Sequence, residues 1–132
     1  MSDLVMYGAV LFTLAFIFYS VGIWAEFFVK RLKPWHLVSF FFGVVCDSVA
    51  TWFMTRYVGG LLLNLHGLVG MLGLGLMIGH FLWAAAVLAW IRRAPDSPAA
   101  ERAVTSFHRY SVAVWSVWML AYLSGIYLGM MQ

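Results

Sequence analysis

Four stretches of this chain are too long and too apolar for 132 residues to bury around one another in water. Between Leu4 and Val29 the only charged side chain is Glu26. Comparable runs follow at roughly 35–57, 61–91 and 98–131, each at or above the ~20 residues that cross a bilayer as a helix. With 64% of residues hydrophobic and 10% charged, the chain lacks the polar surface to cover such segments. The expectation is an all-α integral membrane protein. One domain spans 1–132, with helices at about 5–29, 35–57, 61–91 and 98–131.

The breaks between the runs carry recognisable turn chemistry: 30-KRLKP-34, 55-TRYVGG-60 and 92-RRAP-95. The fourth helix is expected to start with Ser97 as N-cap, Pro98 in the first helical position and Glu101 in the first turn, where a carboxylate suits the helix dipole. Three short connections predict an up-down-up-down four-helix bundle. Lys30, Arg31, Lys33, Arg92, Arg93, Arg102 and Arg109 fall at the first and third connections, and Arg56 alone at the other end. The bias of basic residues places those two connections in the cytoplasm and both termini outside. The net charge of +3 is thus read as topology, with the lipid bilayer and not nucleic acid as the partner. Trp24, Trp35 and Trp90 fit an interfacial aromatic belt. The N-terminus lacks a basic n-region and a cleavage site, so a removed leader is not expected. Cys46 is the single cysteine, which excludes an intrachain disulfide and a CxxC centre.

Tight turns allow depth to be counted away from each connection at ~1.5 Å per residue. Across the third turn His80 is level with position 111, three residues from His108. Across the second, His80 is level with position 38, near His36; across the first, His36 is level with position 29, near Glu26. Glu26, His36, His80 and His108 therefore share one layer in the cytoplasmic half, one residue from each helix. His66 stands apart near the outer end, and Asp47 lies between the two depths. His66 and His80, fourteen positions apart, are about 40° apart around helix 3, with Gly70 and Gly73 on the same face between them.

Ionisable side chains inside a membrane are costly and mark function by default. Imidazoles reaching a stripe of glycines suit a flat, bulky ligand, and haem iron takes imidazole axial ligands. The expectation is a b-type membrane cytochrome with one haem in the cytoplasmic layer, for electron transfer or for haem sensing and handling. His36, His80 and His108 are the candidate ligands, the levels of His36 and His108 agreeing best, and Arg109 is placed to pair with a propionate. An outer haem on His66 with a methionine such as Met54 is a minor alternative. A redox partner, a quinone among the possibilities, and a homodimer are left open.

Two other functional classes compete. His36, His80, His108 and Glu26 are suitable ligands for non-haem zinc or iron, although the spacing lacks HExxH or a di-iron Glu-x-x-His. Asp47 with the histidines is also what a proton-coupled carrier needs. The bland readings are a headgroup anchor for His36, an i, i+4 pair of Glu26 with Lys30, and close helix packing at the glycines.

The spacing of His66 and His80 resembles the haem-bearing helices of the cytochrome b superfamily, but no second histidine partners His66. The stretches 15-AFIFYSVGIWAE-26, 31-RLKPWHLVSFFFGVVCDSVAT-51, 64-NLHGLVGMLGLGLMIGHFLWA-84 and 107-FHRYSVAVWSVWMLAYLSG-125 resemble the HsmA family of small bacterial membrane proteins. They contain Glu26, His36, Asp47, His66, His80 and His108. That resemblance implies a four-helix protein of a bacterial inner membrane. The haem expectation comes from the layer and not from the family.

Overall fold

The computed structural model describes residues 3–60 and 64–130. Four helices follow one another: α1 (Asp3–Val29), α2 (Pro34–Val58), α3 (Leu65–Arg93) and α4 (Pro98–Met130). Each is long and apolar enough to cross a membrane. Sequence neighbours pack against each other, and α1 also packs on α4. Among the described residues the backbones do not approach across the diagonals, so the four rods form a square, alternately up and down.

Local chemistry explains where the helices stop. Lys30 takes a left-handed conformation, φ 56°, that ends α1, and its N–H donates to Glu26 O at 2.9 Å. Lys33 is extended, as a residue before proline must be, and Pro34 starts α2. Gly59 ends α2 at φ 82°, a conformation that costs a side chain energy, and its N–H donates to Thr55 O at 3.0 Å. The Asn64 side chain accepts from the Gly67 N–H at 2.8 Å and caps α3. The described part of α3 begins at Leu65, and the start near 61 expected from the sequence falls on positions 61–63, which lie outside the described residues. Ser97 Oγ accepts from the Ala100 N–H at 3.3 Å, and Pro98 and Glu101 occupy the first turn of α4 as the sequence leads one to expect.

The α1–α2 hairpin interlocks through two glycines. A Cβ on Gly43 would stand 2.5 Å from the Tyr19 ring, and one on Gly22 would stand 2.6 Å from the Phe40 ring. Each helix thus sets a fully buried aromatic into a gap on the other. Large apolar side chains such as Ile17, Phe28, Phe41, Leu72, Leu82 and Leu120 are exposed around the outside. Such a surface is tolerable against hydrocarbon and not against water. Trp35 and Trp90 are also exposed near the basic end. Trp24 is half-buried instead, packed edge-on against Trp115 of α4 with ring centroids 5.4 Å apart.

Candidate functional site: a buried layer of histidines and a carboxylate

The helices bring Glu26 and His108 into direct contact: His108 Nδ1 lies on Glu26 Oε2. Glu26 is completely buried and His108 nearly so. Glu26 thus takes its partner from α4, and the pair with Lys30 suggested by i, i+4 spacing is not the one formed. Inside an apolar bundle a carboxylate gains far more from a buried imidazole N–H than from a lysine that can reach water. The Nδ1 contact orients His108 and leaves Nε2 buried with no partner among the described residues.

His36 is fully buried in the first turn of α2, so it is no headgroup anchor. Its Nδ1 accepts the Lys33 backbone N–H at 3.0 Å, closing the helix start. An imidazole that accepts at Nδ1 must, when neutral, carry its proton on Nε2. His36 Nε2 therefore offers a hydrogen-bond donor, and it too is buried and unpartnered. His36 on α2 and His108 on α4 each leave Nε2 buried in the interior. They present opposite chemistry, a donor on one and, with the His108 proton held toward Glu26, a lone pair on the other.

His80, fully buried on α3, bonds through Nε2 to Ser111 Oγ of α4 at 2.8 Å. Counting from the third turn puts His80 level with position 111, and Ser111 is the residue there. Phe40 meets the His80 ring edge-on at 4.6 Å and Phe107 stacks on it at 4.8 Å. Among the described residues His80 Nδ1 and Glu26 Oε1 are the remaining buried side-chain polar atoms without a partner. Ser111 stands one turn from His108 on α4, and Phe40 one turn from His36 on α2, so these two contacts tie His80 to the rest of the layer. The four unpartnered atoms thus come one from each helix and belong to one connected layer.

The other candidates lie elsewhere. Asp47 forms a separate cluster, where Oδ2 accepts from Tyr19 OH at 3.0 Å and from Trp118 Nε1 at 2.9 Å. Tyr19 and Trp118 carry no sequence motif, and only the fold turns both donors onto one oxygen. His66, near the start of α3, bonds Ser124 of α4. Met54 packs over Gly8 on α1, where a Cβ would stand 2.9 Å from its sulfur. Gly73 faces the Trp118 backbone at ordinary contact distance, which is helix packing, whereas a Cβ on Gly70 would meet nothing within 4 Å. Arg109 is exposed beside His108. Among the described residues no three His, Cys, Asp or Glu side chains are grouped so as to hold a metal ion.

The fold and this layer define a class: a multi-pass helical membrane protein with an ionisable interior. Comparison with protein-family models, curated proteins and solved structures gives no match.

Proposed function

We propose that the protein binds haem b at the buried layer, in the half of the membrane nearer its basic connections, for electron transfer or for haem sensing and handling. A place in the HsmA family and in a bacterial inner membrane belongs to the same proposal. The observation that carries the cofactor reading is the set of four buried polar atoms without partners: Glu26 Oε1, His36 Nε2, His80 Nδ1 and His108 Nε2. Leaving one such atom unsatisfied costs ~1–3 kcal/mol. Four together approach the ~5–15 kcal/mol that stabilises an ordinary domain. A resident group that takes a ring lone pair and accepts a ring proton would offset that cost.

The donor set suits such a group at His108. A metal-ligating histidine commonly gives its second ring N–H to a carboxylate, and Glu26 accepts it here. His36 is suited to another role than the axial ligation expected of it. Its lone pair is occupied by the Lys33 N–H, so its Nε2–H would donate to a bound group. His80 remains the second candidate ligand, and Arg109 lies where a propionate could pair with it. Haem iron would supply one-electron chemistry. Its macrocycle would require the hairpins to part along the α2–α3 and α1–α4 seams, because the layer is closely packed as it stands. The non-haem metal reading is carried by residue types alone, since no grouped ligand set accompanies it among the described residues.

A second reading, proton coupling, is favoured by the Glu26–His108 contact and by Asp47 within the same bundle. The protein purified in detergent from haem-sufficient cells separates the two. Haem binding expects a Soret band and sharp α and β bands on dithionite reduction, lost in His108→Ala and retained in His66→Ala. A colourless protein that also fails to take up added hemin sinks the haem reading. Elemental analysis then tests zinc or iron, and proton flux in proteoliposomes, compared with Asp47→Asn, tests the relay.

A further inference from the structure

At the end of the bundle opposite the buried layer, α3 and α4 line a lateral cavity of about 540 Å³ that opens to the outside of the bundle. It falls within the ~300–1,000 Å³ range of small-molecule sites. Val69, Leu120, Tyr127 and Leu128 make its apolar walls, with His66 and Ser124 as a polar pair among them. We propose that this cavity binds the head ring of a membrane quinol, with His66 Nε2 accepting a ring hydroxyl.

The protonation of His66 follows from its partner. Ser124 donates its only hydroxyl proton to Ala121 O at 2.8 Å. Its oxygen can then only accept from His66 Nδ1, 2.7 Å away. A neutral His66 therefore carries its proton on Nδ1 and a bare lone pair on Nε2. Among the described residues Nε2 has no hydrogen-bond partner, and the half-buried His66 ring lines the cavity. It is an accessible acceptor in an apolar recess. Gly125 keeps that edge of the ring clear: a Cβ there would stand 3.2 Å from His66 Cε1 and 3.7 Å from Nε2.

The ligand must match three properties: it reaches the site through lipid, fills an apolar slot, and donates one hydroxyl to a fixed acceptor. A quinol with an isoprenoid tail has all three, and Tyr127 supplies an aromatic wall for its ring. A lipid tail would fill the slot but leave the acceptor unused. The site is separate from the buried layer, and binding there does not depend on what that layer holds.

Binding of decylubiquinol to the full-length protein in detergent tests this, with decylubiquinol dimethyl ether as the comparison ligand. Saturable binding is expected, weakened about tenfold or more for the dimethyl ether, because a site built around a hydroxyl rejects the analogue lacking it. His66→Leu and Gly125→Leu should each weaken decylubiquinol similarly, while His66→Gln, which keeps an acceptor, should recover part of the loss. Size-exclusion and circular dichroism profiles show whether each variant is folded. Equal binding of the dimethyl ether, undiminished binding to folded His66→Leu, or no saturable binding would overturn the proposal. A colourless protein that takes up no added hemin yet binds quinol would sink the haem reading alone; a haem-bearing protein that binds no quinol would sink this one alone.

Discussion

Asp47 illustrates what a single buried residue can demand of its neighbours. Its Oδ2 accepts from both the Tyr19 hydroxyl and the Trp118 indole, and Asp47 and Tyr19 are essentially inaccessible. Asp47→Asn keeps a carbonyl oxygen for both donors and should change stability by less than about 1 kcal/mol. Asp47→Leu orphans both donors and should cost about 2–6 kcal/mol, at ~1–3 for each. Unfolding by SDS titration in mixed micelles measures both. If the asparagine variant is as damaged as the leucine variant, hydrogen-bond satisfaction is not why the carboxylate is there. Residues of this kind are only half legible in sequence. Asp47 stands out because charge is rare in hydrocarbon. Its donors do not, because a tyrosine and a tryptophan are unremarkable in an apolar helix.

At the scale of elements, the glycines divide by what surrounds them. Gly43 lies under the fully buried Tyr19 ring, where a Cβ would come within 2.5 Å. Gly43→Ala should destabilise the α1–α2 hairpin by about 1–3 kcal/mol, the usual cost of overpacking, since the ring has nowhere to go. It should also loosen the Tyr19–Asp47 bond. Gly70 and Gly75 have nothing within 4 Å of a new Cβ. Alanine there should be neutral or stabilise by up to about 1 kcal/mol through helix propensity. The same titration ranks the three, and an equal loss at Gly70 would show that something covers that face. On sequence alone these glycines look alike, and Gly70 and Gly73 read as one stripe. The fold separates them by the direction each faces.

The whole molecule has a charge asymmetry along its axis. Seven basic residues sit at the end bearing the first and third connections, and Arg56 is at the other. If that end is cytoplasmic, a membrane-impermeant maleimide should label Asp96→Cys in a Cys46→Ala background only after the membrane is opened. Labelling of intact cells would reverse the orientation and place the buried layer in the outer half. The asymmetry also separates the two sites proposed here. The histidine–carboxylate layer lies toward the basic end, near Glu26 and Lys33, and the His66 cavity lies at the opposite end.

The amino-acid order alone determined the number of helices, most of their ends, and the level at which His80 meets α4. Each is a local property carried along a straight rod. Apolar run length, a proline or glycine at a turn, and a fixed rise per residue suffice for all three. Rotation of each helix about its own axis was left to the tertiary structure. In a soluble bundle a polar face announces which side is outside, but here lipid-facing and core-facing sides are both apolar, and the signal vanishes. That rotation gives Glu26 to His108 instead of Lys30, and turns Tyr19 and Trp118 onto Asp47. Together with the turn at Lys33 and the Ser124 bond, it sets the proton on His36 and on His66.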